Sequence, residues 1–177
     1  MPAYKKKILR TILFSAELYS ELCENVYIVS SPDFEKSESY VLHFYPQNFL
    51  HLTGVKTNMK PADFFFKALN KTLSESDFEC GAPNSIEESK RVLYGHVAQK
   101  MRHLSKIPTL FSGKDKLYIQ ENFKKGMIPC CLATANGRFT LGFIGRELCP
   151  LTLLNGNLLD SKSLTENISI EIVKIKN

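Results

Sequence analysis

The chain has 177 residues and a mass of 20.1 kDa, enough to bury a core without covalent staples. With 44% hydrophobic and 23% charged residues it has the composition of a globular domain, and no apolar run approaches the roughly 20 residues that span a bilayer. A formal net charge of +5 permits an anionic partner without demanding one, and the five cysteines lack the CxxC or Cys/His spacing of a zinc site.

Those cysteines (Cys23, Cys80, Cys130, Cys131 and Cys149) are therefore read as reduced, mostly buried thiols of a cytoplasmic protein. The N-terminal "KKKILRTILFSAELYSELC" imitates a signal peptide, but Ser15, Glu17, Ser20 and Glu21 interrupt the apolar stretch at helical spacing. It predicts an amphipathic helix over residues 5–24 with Leu9, Ile12, Leu13, Ala16, Tyr19 and Cys23 on its packed face. "VYIVSS" and "YVLHFY" follow as two strands of a hairpin, the second ended by Pro46.

Next comes "NFLHLTGVKT", which places His51 at a junction and follows it with Thr53, Gly54 and Lys56. A neutral histidine exchanges protons near pH 7, and a lysine close by would stabilise charge on a phosphate. Taken alone, the stretch reads more simply as a turn, with Gly54 supplying a positive φ and Thr53 a cap. "KPADFFFKALNKTL" predicts a short helix with Pro61 in its first turn and its Phe64-Phe65-Phe66 run as core rather than a base-stacking platform, since a short helix cannot point all three outward. Ser85, three residues before Glu88, has the spacing of a capping box that opens a helix to about Ser105 with Leu93, Val97, Met101 and Leu104 as its apolar stripe.

On that helix Arg91, Arg102 and Lys106 fall on one flank of the stripe and His96, Lys100 and His103 on the other. Such a cluster could neutralise phosphates, and it serves equally well as a solvated face. His96 and His103 stand about 10.5 Å apart along the helix axis, too far to share one metal. There is no GxSxG, Walker loop or HExxH, so the usual marks of serine hydrolases, nucleotidases and zinc proteases are missing.

The last third turns to strands. "MIPCCLATANGRFTLGFIG" is a hairpin about Asn136-Gly137, and "PLTLLNG" and "ISIEIVKIK" supply two more strands. Helices first and strands last argue for an α+β fold with helices on one sheet face, read as one domain over residues 1–177 with the first helix and strand in 1–37.

In combination, "VLHFYPQNFLHLTGVKT", "PADFFFKALNKTLSESDF", "CCLATANGRFTLGFIG" and "PLTLLNGNLLD" resemble the phage-associated branch of the barnase/EndoU/colicin/RelE nuclease superfamily over residues 38–175. The resemblance implies helices packed on a curved antiparallel sheet of about four strands and metal-independent RNA cleavage, with no cofactor, in a toxin or a defence or counter-defence factor of a phage or mobile element. It carries His51 across as the acid/base group and makes Thr134 and Thr152 polar residues facing the same concavity. Lys56, with Arg91, Lys100 and Arg102 as RNA-binding cations, is added because the reaction needs positive charge near the phosphate. The second proton-transfer group is left open: His43, His96, His103, a tyrosine such as Tyr94, or none. Expected partners are RNA and an antitoxin or host protein, with no membrane. A catalytically silent RNA- or protein-binding domain of the same fold is the alternative.

Overall fold

The computed structural model describes residues 2–176. Its first element, α1 (Ala3–Cys23), buries Ile8, Ile12, Ser15, Ala16, Tyr19 and Leu22. The packed arc is thus centred slightly off the expected one, leaving Leu9, Leu13 and Cys23 half-buried on its flank. Strands β1 (Asn25–Ser30) and β2 (Ser39–His43) pair antiparallel, from Val26 opposite His43 to Ser30 opposite Ser39. Within β1, Tyr27 and Val29 point inward, in the period-two alternation of a strand covered on one face.

Three short helices follow: α2 (Phe49–Thr53), α3 (Pro61–Leu69) and α4 (Glu88–Met101), with single 3-10 turns at Pro46–Asn48 and Glu75–Asp77 and a longer one at Leu104–Phe111. Pro61 sits in the first turn of α3, where its missing N–H has no intrahelical partner to lose. Phe64 and Phe65 are buried and Phe66 is exposed, because no helix turns three consecutive rings the same way. The capping box expected at the start of α4 does not form. Glu88 is already helical and Glu87 is the cap. The Ser85 hydroxyl accepts the Glu87 N–H at 3.2 Å, while Arg91 donates to the carbonyls of Ser85 and Ile86 at 2.6 and 2.8 Å, holding this segment as a turn.

The strands of the last third are β3 (Tyr118–Lys125), β4 (Ile128–Ala135), β5 (Phe139–Ile144), β6 (Cys149–Asn155), β7 (Leu164–Thr165) and β8 (Ser169–Lys174). The fold is α+β with two antiparallel sheets, β2-β1-β8 and β6-β5-β4-β3-β7. The expectation of one curved sheet of about four strands is corrected: there are two sheets, neither of them curved or closed, and the strands differ from those expected on two counts. The final strand leaves the five-stranded sheet and joins β1, aligning Ser30 with Ser169 and Asn25 with Lys174. And β3 has no counterpart in the sequence reading, because Gln120, Glu121 and Asn122 break its apolar pattern and Asn122 takes a positive φ of 53°. The β4–β5 turn is closed by the Asn136 side chain, which accepts the N–H groups of Arg138 and Phe139 at 2.9 and 3.0 Å.

One main core joins the helices to the inner faces of both sheets, with Phe44 edge-on to Tyr19, Tyr27 and Phe143. The His43 N–H donates to the Leu148 carbonyl at 3.1 Å, tying the end of β2 to the segment before β6. A smaller cluster of Phe123, Cys130, Ala133, Ala135 and Leu159 lies apart from it. Of the five free cysteines, Cys80 and Cys130 are buried and Cys131 is exposed. Among the described residues no helix is long and apolar enough to cross a membrane.

Candidate functional site

The His-Leu-Thr-Gly stretch is the end of a helix. Leu52 is fully buried and anchors α2 in the main core. The Thr53 hydroxyl donates to the Leu50 carbonyl at 2.7 Å and accepts the Val55 N–H at 3.3 Å, closing the last turn. Gly54 then reverses the chain with φ 73°, the left-handed conformation that glycine adopts at least cost. With Leu52 inward and Thr53 committed to the turn, His51 is left on the exposed side of α2.

After the reversal, Lys56 and Glu79 exchange both backbone hydrogen bonds, at 2.9 and 2.7 Å. The Thr57 hydroxyl donates to the Asp77 carbonyl at 2.7 Å. These bonds strap the loop after α2 to the Glu75–Asp77 turn and enclose a cavity of about 720 Å³ whose lining includes His51, Gly54, Lys56, Thr57, Asp77 and Glu79. Two of the sequence-derived candidates, His51 and Lys56, therefore share one cavity. The carboxylates beside them do not stand out in the sequence, since an isolated bridge between residues 56 and 79 has no local signature. Asp77 is held below its usual carboxyl range, chiefly by the Ser74 backbone N–H, and pairs with Lys67 at 3.3 Å. The cavity is mixed in charge: its lining includes a histidine, a lysine and two acidic residues.

Lys100 lies on the other side of Gly54. Its stem passes so close that a Cβ on Gly54 would stand 2.7 Å from Lys100 Cδ. Its amine donates to the Leu153 carbonyl on β6 at 3.1 Å. Burial lowers its pKa to about 8, since a desolvated ammonium is disfavoured, and among the described residues no carboxylate pairs with it. The expectation that Lys100 lies on a solvated basic flank is corrected: it is a half-buried amine between α2, α4 and the edge of the five-stranded sheet.

Arg91, Lys100 and Arg102 are not brought together. Arg91 is spent on the turn before α4, whereas Arg102 is exposed and lines a groove between α4 and α1.

The two threonines are separated as well. Thr134 is level with Leu141, which is level with Leu153; it points with them into the main core and has no exposure. Thr152 is level with Gly142, one position out of step, and so faces the opposite side of the sheet. A common concavity for Thr134 and Thr152 is thus ruled out by register. Neither lines the His51 cavity.

The remaining histidines occupy separate places. His43 stacks on Tyr45, whose hydroxyl donates to Glu147 at 3.0 Å. His103 is buried, with Nε2 2.6 Å from Asn155 Oδ1 and its ring stacked on Phe139, and its Nδ1 has no partner. His96 is exposed on α4, and Tyr94 packs edge-on against Tyr4. None of these four lines the His51 cavity. Among the described residues no group of three or more His, Cys, Asp or Glu side chains is arranged to hold a metal ion.

A family model described as phage-Barnase-EndoU-ColicinE5/D-RelE like nuclease4 matches residues 11–173. The matched span runs from within α1 to within β8, reaching further toward the N-terminus than the motifs from residue 38 onward. No curated protein and no solved structure matches the chain.

Proposed function

Because the chain belongs to the phage-Barnase-EndoU-ColicinE5/D-RelE like nuclease family, we propose that it cleaves RNA at the cavity beside the end of α2, using side chains alone. The observation that carries this reading is the presence of His51 and Lys56 in the lining of one open cavity. His51 removes the proton from a ribose 2′-hydroxyl, O2′ attacks the adjacent phosphorus, and the bond to the 5′-oxygen breaks. The products are a 2′,3′-cyclic phosphate and a 5′-hydroxyl that has gained a proton. Lys56 offsets the charge that gathers on the phosphate oxygens in the crowded intermediate.

The proton that His51 takes from the 2′-hydroxyl is the one it returns to the leaving 5′-oxygen, so the step balances without a second proton-transfer group. In this scheme Thr134 and Thr152 support the sheet and take no part in proton transfer. The setting is the bacterial cytoplasm, with the whole chain acting as one unit in a toxin, a defence or a counter-defence role, and with an antitoxin or host protein as its restraint.

A second reading, a catalytically silent domain that binds RNA or protein, is favoured by one feature: the carboxylates of Asp77 and Glu79 oppose a phosphate in the cavity where His51 stands. Incubating the protein with total bacterial RNA in EDTA, beside His51→Ala, separates the two. Fragments with cyclic-phosphate ends that vanish in the variant support cleavage. Intact RNA with both proteins overturns it.

A further inference from the structure

The first turns of α1 run alongside the second half of α4, and between them lies a groove of about 320 Å³ lined by Tyr4, Lys7, Thr11, Tyr94, Met101 and Arg102. Tyr4 and Tyr94 meet edge-on at 5.3 Å between ring centroids and are half-buried, giving one wall an aromatic surface. Lys7 and Arg102 are exposed, and neither is among the ion pairs of the described residues. Lys6 and Arg10 flank Lys7 on α1, also exposed and outside those ion pairs. The acidic residues of α1, Glu17 and Glu21, come two or more turns later, and none of the groove's lining residues is acidic.

We propose that this groove is a second RNA-binding surface, apart from the His51 cavity, which holds the sugar-phosphate backbone of a single strand through Lys7 and Arg102 and packs a base against the tyrosines. Unpaired cations beside aromatic rings are what a single-stranded nucleic acid offers complementary surface to: phosphates to the cations, π-faces to the rings. The basic residues of α1 thereby acquire a role. They are otherwise an unexplained concentration of like charge at the start of a helix, where positive charge is unfavourable. The proposal rests on the reading that the chain acts on RNA.

The test is fluorescence anisotropy with a labelled 2′-O-methyl oligoribonucleotide of about 10 nucleotides, which lacks the attacking hydroxyl and so survives incubation. Wild type is compared with Lys7→Ala/Arg102→Ala and with Lys124→Ala/Lys125→Ala, which removes the same charge at the exposed β3–β4 tip. Loss of two phosphate contacts predicts a fall of about 1.4 in the slope of log affinity against log salt, and affinity about 25-fold weaker at 0.1 M monovalent salt. That result in the groove variant alone supports the proposal. Equal losses in both variants, or none in either, overturn the groove while leaving RNA recognition standing. Absence of binding by wild type overturns both. Unchanged RNA affinity accompanied by lost affinity for poly-glutamate in the groove variant overturns the RNA assignment and gives the groove to an acidic protein.

Discussion

Gly54 and Lys100 fit together by omission: the hydrogen that stands in place of a side chain on Gly54 leaves the space through which the Lys100 stem reaches the Leu153 carbonyl. The end of α2 and the last turn of α4 are thereby registered against the edge of the five-stranded sheet.

Gly54→Ala is expected to destabilise the fold by about 1–3 kcal/mol. The strain at φ 73° supplies most of this, since the flexible lysine can partly withdraw from the new methyl group. Chemical denaturation monitored by circular dichroism would measure it, and an unchanged midpoint would show that the reversal after Thr53 does not need glycine.

For Lys100 the folded pKa, about 8, lies below the 10.5 of an ordinary lysine, because burial disfavours the ammonium. Between those values the unfolded chain keeps a proton that the folded chain has released, so stability rises with pH across this window. Below pH 8 the folded protein bears the full penalty. Lys100→Met is therefore expected to raise stability at pH 7 by at most roughly 3 kcal/mol, less the lost bond to Leu153, and to show no gain above pH 10.5. Urea titrations at the two pH extremes would check the sign; a variant equally destabilised at both would mean that the amine is not desolvated.

His51 is exposed, so His51→Ala is expected to change stability by less than about 0.5 kcal/mol while lowering RNA cleavage by about 10²- to 10⁴-fold, the usual contribution of a positioned acid or base. A large fall in melting temperature would instead assign His51 to the architecture of α2.

Thr134 is buried on the helix-facing side, with only a 3.5 Å contact from its hydroxyl to the Leu141 carbonyl. Thr134→Val should leave RNA cleavage unchanged and shift stability by no more than about 1.5 kcal/mol. Loss of activity in a stably folded Thr134→Val protein would contradict the burial argument and require the sheet interior to open during catalysis.

Leu52 holds the helix that presents His51. Leu52→Ala removes a fully buried side chain and is expected to cost about 2–5 kcal/mol, with cleavage falling in proportion to the folded fraction measured by near-UV circular dichroism.

Local chemistry was readable from the sequence wherever it was self-sufficient. The spacing of Ile12, Ala16 and Tyr19 suffices for α1, Pro61 for the start of α3, and Asn136 for the β4–β5 turn, because each acts on its immediate neighbours. The family resemblance rests on motifs of this kind, and the match to residues 11–173 agrees with it. What escaped depends on distant pairing. The polar β3 is a strand because β4 and β7 supply its partners. Glu79 joins His51 only through the bridge to Lys56. Thr134 and Thr152 part company through a register that neither segment encodes alone. Lys100 looked solvent-facing on a helical wheel because the wheel does not include β6.

The pairing of β1 with β8 bears on the order of assembly. During synthesis β1 emerges early and finds β2 within a few residues, but its other edge stays bare until everything between Ser30 and Ser169 has been translated. Contacts so remote in sequence form late and slowly. The three-stranded sheet is therefore the last part of the molecule to close, and a ribosome that stalls before Ser169 leaves a chain with an open strand edge, prone to pair with another such chain.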